Sequence, residues 1–293
     1  MKNAYVEITN ICNLNCDFCP GHARPRRHMT SDEFEIITRK LEGKVETLFL
    51  HLMGEPLLHP ELGRIIEIAD RMAFKLKITT NGTLLPICLP ILKSSERLHT
   101  VSISLHSFGG NASESMIEQK MEKYLKDCLE GARELAKSGK FVVLRLWNLE
   151  NDGRTAMWDL NESVLSLAKA FFPPEKEEWV KTHRGMRIAH RIFIEWGERF
   201  TWPEIGEGGE IKEYEDEIGD ESCHALLRQF GILADGTVVP CCLDRNGDIP
   251  LGNIFTNEIE EILLSPRAKA MKDAMAHHRF VEPLCATCGF KRK

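Results

Sequence analysis

The sequence predicts an α/β protein, an open, partial barrel of six β/α units followed by a small C-terminal α+β domain. Three observations carry this prediction. Short β-rich runs alternate with helical stretches from Tyr5 to about Trp196. The strands are almost continuously apolar, as in a parallel sheet covered by helices. An acidic, glycine-containing stretch then separates this part from a cysteine-rich remainder. The expected boundaries are 1–197 for the barrel, 198–222 for the linker and 223–293 for the small domain.

The strand candidates are Tyr5–Thr9, Val45–Leu52, Phe74–Thr80, Thr100–His106, Phe141–Trp147 and Ile188–Trp196. Between them lie SDEFEIITRKL, ELGRIIEIADRM and the long SESMIEQKMEKYLKDCLEGARELAKSG, whose apolar residues recur every three or four positions. Thr30 followed by Glu33 reads as a capping box opening the first helix. Six units are too few to close an eight-stranded TIM-like barrel, and reactive residues in such folds collect at the C-terminal strand ends. From Glu204 to Glu221 there are nine acidic residues and one lysine, the composition of a solvated linker. Asp235-Gly236 between two β-rich runs is a hairpin signal.

Composition narrows the function. Among 293 residues, 43% are hydrophobic and 28% charged, as in ordinary globular proteins. The sequence has neither a run of about 18 apolar residues nor a charged-then-apolar leader, so we expect a cytoplasmic protein without a membrane partner. A net charge of −6 argues against a nucleic-acid partner, which clustered Lys and Arg would serve. Arg24, Arg26 and Arg27 form a local basic patch, either a solvated loop or a partner for an anion. Ten cysteines without an export signal point to metal ligation rather than disulfides.

Cys12, Cys16 and Cys19 follow the first strand with the spacing Cys-x3-Cys-x2-Cys. Three thiolates can hold three irons of a 4Fe–4S cluster and leave the fourth open to a substrate. Zinc is the alternative, although it usually takes four protein ligands. The second set is Cys223, Cys241, Cys285 and Cys288, with the pattern Cys-x12-Gly-x4-Cys and then Cys-x2-Cys. Four thiolates suit a closed zinc site or a fully ligated 4Fe–4S cluster. Neighbouring strand residues face opposite ways, so Cys241 and Cys242 are not expected to share one cluster. The glycine count selects Cys241, which leaves Cys242 as a buried thiol or a hydrogen donor, the one catalytic candidate. Cys88 and Cys128 read as helix-face cysteines.

The first cysteine set resembles the signature of the radical S-adenosylmethionine (radical SAM) superfamily, and the second resembles its SPASM or shorter "twitch" domain. That resemblance implies a SAM-binding 4Fe–4S cluster on the first three cysteines and an auxiliary 4Fe–4S cluster on the last four. It implies a SAM site at Gly54, Glu55 and Pro56, which resemble a Gly-Gly-Glu-Pro motif whose first glycine is Met53 here. Phe18 is then expected beside the adenine, Asn81 in a loop-fixing turn, and Ser104, Arg145 and Asn148 at the ribose and carboxylate. The implied reaction is reductive cleavage of SAM to a 5′-deoxyadenosyl radical that abstracts hydrogen from substrate, with flavodoxin or ferredoxin as electron donor. Oxidation or cross-linking of a peptide side chain is the first expectation. A small-molecule dehydrogenase or rearrangement enzyme, on a sugar alcohol or nucleotide, is the second, and a non-catalytic iron–sulfur or zinc protein the third. The barrel beginning at Tyr5 weighs against a preceding segment that would grip a leader peptide. His51, His106 and Glu195, near strand ends, either face the substrate or are satisfied by packing.

Overall fold

Strand β1 (Asn3–Val6) buries Ala4 and Val6 and leaves Asn3 and Tyr5 half-buried, the two-residue alternation of a strand with one face under helices. The same alternation recurs in β3 (Lys75–Thr80) and along most of β5 (Phe141–Trp147), while β2 (Thr47–Phe49) and β4 (Leu98–Ser104) follow it only in part. This computed structural model describes residues 1–109, 117–147, 155–176, 179–197, 200–205, 223–277 and 279–291. Most of the expected linker and Asn148 lie outside the described residues.

The covering helices are α1 (Ser31–Leu41), α2 (Leu62–Arg71), α3 (Leu85–Ser94), the short α4 (His106–Gly109), α5 (Ile117–Lys137) and α6 (Thr155–Phe171). Helix α1 carries the expected capping box, with Thr30 accepting from the Glu33 amide and Glu33 accepting from Thr30. Helix α3 carries Cys88, read in the sequence as a helix-face cysteine. Its LPICLPILKS run holds two prolines, of which Pro86 occupies the tolerated first turn and Pro90 lies inside.

The expected strand Ile188–Trp196 is two strands. Strands β6 (Val180–Thr182), β7 (Gly185–Ala189) and β8 (Ile192–Gly197) form an antiparallel meander. The break falls at His190-Arg191, where Arg191 takes φ +61° and donates through Nη1 to the Gly139 carbonyl. Strand β8 is therefore the sixth parallel strand, paired with β5. The parallel order is β1-β2-β3-β4-β5-β8, an open barrel of six β/α strands.

The C-terminal quarter of the chain joins the same sheet. Strands β9 (Gln229–Ile232), β10 (Thr237–Val239) and β11 (Gly252–Asn253) are antiparallel to one another, and Asp235-Gly236 makes the expected turn. Strand β9 runs parallel to β1 on its free edge, with Tyr5 opposite Gly231. Among the described residues one sheet of eleven strands results, ordered β11-β10-β9-β1-β2-β3-β4-β5-β8-β7-β6. The cysteine-rich region is thus an extension of the barrel sheet. Its helices are α7 (Ile259–Leu263), α8 (Pro266–Ala276) and α9 (Pro283–Ala286). Lys40 and Lys44 on and after α1 pair with Glu258 and Glu260 across the junction.

Phe230 is fully buried in β9 and belongs to the same apolar core as Ala4 and Val6. Phe230→Ala should cost about 3–5 kcal/mol. Because β9 and β1 share a ladder, this loss should lower one common thermal transition, followed by calorimetry. A separate early transition of the C-terminal region would contradict a shared core.

Candidate functional site

The first cysteine set hangs from the C-terminal end of β1. Its loop is closed by Asn10, whose Nδ2 donates to the Pro25 carbonyl at 2.9 Å and whose Oδ1 accepts from the Arg27 amide at 2.8 Å. Cys12 and Cys16 are half-buried and Cys19 is exposed. The Cys19 amide donates to the Cys16 carbonyl at 3.0 Å, which closes the last turn of the loop. Cys12 Sγ accepts from the Leu14 amide at 3.4 Å and from Asn81 Nδ2 at 3.9 Å. Cys16 donates to the Ser107 carbonyl at 3.5 Å. Burial pushes the Cys12 thiol up, the Leu14 amide opposes this, and Glu55, Cys16 and Cys19 add to it. Amide donors aimed at sulfur suit a thiolate that a cluster has deprotonated.

The Met53-Gly54-Glu55-Pro56 turn leaves β2 directly beneath that loop. Gly54 has φ +76°, and a Cβ there would fall on the Thr9 carbonyl and within 2.9 Å of Asn10 Cα. Only glycine fits such an approach. The Glu55 amide donates to the Ile11 carbonyl at 2.9 Å, tying the turn to the cysteine loop. Its buried carboxylate accepts from Thr80 Oγ1 and the Asn81 amide, both at 2.6 Å, and from the Leu57 amide at 3.0 Å. Burial raises the Glu55 carboxyl, while those three bonds pull it back. The side chain of Glu55 is therefore spent on holding the turn after β3.

Asn81 sits in that turn and bonds Asn13 through Nδ2 at 2.9 Å. Asn13 in turn donates to Thr83 at 2.9 Å. Gly82, at φ +78°, lies against Cys128, Ile103 and Tyr124, and the Tyr124 hydroxyl donates to the Asn81 carbonyl at 2.7 Å. Cys128 is thus more than a helix-face residue, since it packs under the Gly82 turn. Tyr124 was missed in the sequence, where a tyrosine within a helical run carries no signal of a turn far away in the chain.

Phe18 reaches the β4–β5 rim through His106 and Trp147. Phe18 packs edge-on against His106 at 5.1 Å and Trp147 at 5.2 Å, and those two rings lie 4.3 Å apart. His106 bonds the Arg145 carbonyl through Nδ1 at 3.1 Å. Ser104 is opposite Arg145 in register, and Arg145 is opposite Glu195. Deeper in the concave face, Tyr5 stacks on Phe49 at 4.5 Å, His51 meets Tyr5 edge-on at 5.5 Å, and Lys77 Nζ lies 5.1 Å over Phe49. Burial, and secondarily the positive Arg145, push His51 down to about 3, so its imidazole is neutral.

The second set gathers beside β1 on the β9 edge. Cys223 Sγ accepts from the Ala225 amide at 3.3 Å. Cys285 lies on α9, and the Cys288 amide donates to the Cys285 carbonyl at 3.3 Å. Burial pushes Cys241 well up, Cys242, Cys285 and Cys223 add to this, and a Leu243 backbone hydrogen bond opposes it. Strand alternation does not separate Cys241 from Cys242, because β10 ends at Val239 and both lie in the turn beyond. Cys242 also neighbours Cys288 and Cys223, and its thiol hydrogen-bonds the Tyr5 side chain at the floor of the barrel. Burial pushes Cys242 up to about 11.

Comparison with known proteins agrees with this geometry. The sequence model of the Radical SAM superfamily matches residues 6–160, and that of an iron-sulfur cluster-binding domain, SPASM, matches residues 223–289. The chain is 27% identical to the antilisterial bacteriocin subtilosin biosynthesis protein AlbA of Bacillus subtilis (strain 168), over 98% of this chain and 66% of AlbA. It is 26% identical to a probable GTP 3′,8-cyclase of Aeropyrum pernix, over 55% of this chain and 46% of that protein. The chain thus spans less than two thirds of the length of these curated relatives. Among solved structures, anSMEcpe with bound AdoMet and Cp18Cys peptide has TM-score 0.59 and 14% identity over 92% of this chain and 81% of that one. Streptococcus suis SuiB bound to precursor peptide SuiA has TM-score 0.54 and 15% identity over 99% and 70%. No helix among the described residues is long and apolar enough to cross a membrane. The match of one family model over more than half the chain places it plainly: this chain belongs to the radical SAM superfamily, carries a SPASM-type domain, and takes S-adenosylmethionine and iron–sulfur clusters as cofactors.

Proposed function

We propose that this enzyme oxidises or cross-links a side chain of a peptide or protein substrate. Similarity to AlbA along 98% of the chain carries the reading, since the match to a GTP cyclase reaches only 55%. Cys12, Cys16 and Cys19 would hold the SAM-binding cluster, and Cys223, Cys241, Cys285 and Cys288 the auxiliary one. The amides aimed at Cys12, Cys223 and Cys241 support this donor set. Flavodoxin or ferredoxin would supply electrons. When bound, SAM and the reduced cluster supply hydrogen-atom abstraction.

The protein's own residues orient and protect that chemistry. Gly54, Glu55 and Pro56 offer backbone acceptors to the methionine ammonium, in a turn held by the Glu55 carboxylate. Arg145, with Ser104 opposite it, would bind the carboxylate of SAM. Phe18, backed by His106 and Trp147, forms an apolar wall for the adenine and keeps water from the reacting centre. Asn81 would keep its bond to Asn13 and hold the cysteine loop in place. Asn148 is proposed at the ribose from its sequence position alone. Cys242, bonded to Tyr5 between the second set and the concave face, is the proposed hydrogen donor. The second reading, chemistry on a nucleotide, is favoured by the matches to GTP 3′,8-cyclases.

Three experiments test this. Anaerobic reconstitution should load about eight irons, and Cys12→Ala/Cys16→Ala/Cys19→Ala should lose about half of them together with all 5′-deoxyadenosine release. Unchanged iron, or tightly held stoichiometric zinc, would overturn the two-cluster assignment. Gly54→Ala should weaken SAM binding at least about tenfold by calorimetric titration, since the added Cβ must displace the Thr9–Asn10 backbone. Wild-type affinity in that variant would remove the turn from the site. Finally, co-expression with short peptides encoded beside its gene should yield a peptide lacking two hydrogens by mass spectrometry. An unaltered peptide alongside turnover of a nucleotide would select the second reading.

A further inference from the structure

The basic patch after the first cysteines contains one residue with a dedicated, buried partner. Glu7, one residue beyond β1, has a fully buried side chain, and that of Arg24 is 10% exposed. Arg24 Nη2 donates to both carboxylate oxygens of Glu7, at 2.8 and 2.6 Å. The Met53 backbone, just before Gly54, lies close enough to the same carboxylate to favour its charged form. Arg24 Nε donates to the Arg245 carbonyl at 2.7 Å, and the Ala23 amide donates to Asn246 Oδ1 at 3.0 Å. Arg245 lies in the loop immediately after Cys241 and Cys242. That loop is shaped by the buried Asp244 carboxylate, which accepts from the Asp248 and Ile249 amides at 2.8 and 2.9 Å. Arg245 itself donates to the Pro203 carbonyl at 3.0 Å and to Glu204 at 2.7 Å. By contrast, Arg26 is exposed, and Arg27 pairs with Glu33 at the start of α1.

One carboxylate therefore meets three segments: the cysteine loop through Arg24, the SAM turn through Met53, and through Arg24 again the loop behind Cys241. We propose that Glu7 and Arg24 are positioning residues, a buried clasp that fixes the first cysteine set and the SAM turn against the second cysteine set. This rests on reading both sets as cluster sites. The physics is that of a buried pair: each charge is tolerable only beside the other, and a planar guanidinium makes several directed bonds at once. A lysine carries the charge but has no planar fork to join Glu7 and Arg245. Burial pushes Glu7 up to about 7 while Arg24 pulls it down, so loss of Arg24 leaves a carboxyl that can take up a proton.

The test is hydrogen exchange by mass spectrometry on the full chain, as isolated and after anaerobic reconstitution. Arg24→Ala and Glu7→Gln should raise exchange about tenfold or more in residues 20–28 and also in residues 244–249. Arg26→Ala, which removes the same charge two residues away, should leave both segments unchanged. Arg24→Lys should not rescue residues 244–249. In reconstituted protein, Arg24→Ala and Arg24→Lys should alter the electron paramagnetic resonance signal of the auxiliary cluster, whereas Arg26→Ala should not. A rise confined to residues 20–28, full rescue by lysine, or an unaltered auxiliary signal would overturn the clasp. Should Arg24→Ala or Glu7→Gln fail to fold, the lysine variant alone decides, because it keeps the charge. Iron content of the wild-type protein judges the cluster assignment separately, so the two readings fail in different measurements.

Discussion

The site depends on the pairing of β1 along both of its edges. One edge carries β2 and the other carries β9, each in parallel register with the same four-residue strand. The loop leaving the C-terminal end of β1 bears Cys12, Cys16 and Cys19, and the β9–β10 hairpin leads into Cys241 and Cys242. Backbone ladders are stiff at the spacing of adjacent strands, about 4.8 Å. Two cysteine regions far apart in sequence are therefore tied to one sheet, the first in the loop after β1 and Cys241 just after β10, two strands away. Shared hydrogen bonds and a shared apolar core make their separation a property of the fold.

On that frame, two buried carboxylates do the local joining. Glu55 gathers the turns after β2 and β3, and Glu7 gathers the cysteine loop, the Met53 turn and, through Arg24, the loop behind Cys241. Burying a carboxylate is costly unless its lone pairs are filled. Both are filled by donors from other segments, so each cost is offset only when those segments are in place. This makes the loops, rather than the strands, the cooperative part of the site. Gly54 and Gly82 belong to the same design, because each lets a backbone approach that any side chain would block.

The concave face between the two sets combines an aromatic wall with a few charges. Tyr5, Phe49 and His51 pack ring on ring, Lys77 lies over Phe49, and Arg145 lies opposite Glu195 in register. A neutral His51 and a protonated Tyr5 keep negative charge away from this floor. Such a lining suits the proposed reaction, in which water and stray ions would compete with hydrogen transfer.

Much of this was legible in the residues themselves. Cysteine spacing, the Asp235-Gly236 turn, the Thr30–Glu33 cap and the run of β/α units all depend on neighbours within a few positions, and such short-range chemistry is written locally. Strand alternation failed at Cys241-Cys242 because the ladder had already ended at Val239, and the strand expected through His190-Arg191 turned on a left-handed backbone that Arg191 rarely adopts. The β1–β9 pairing, the Glu7–Arg24 clasp and the packing of Tyr124 and Cys128 under Gly82 left no local mark. Each joins residues brought together only when the sheet assembles, and a charged residue at the end of an apolar strand does not name its partner. Sequence alone determined which chemistry the chain can hold; tertiary structure decided where the two sets stand relative to each other, because that distance is set by strand pairing and buried charge rather than by spacing along the chain.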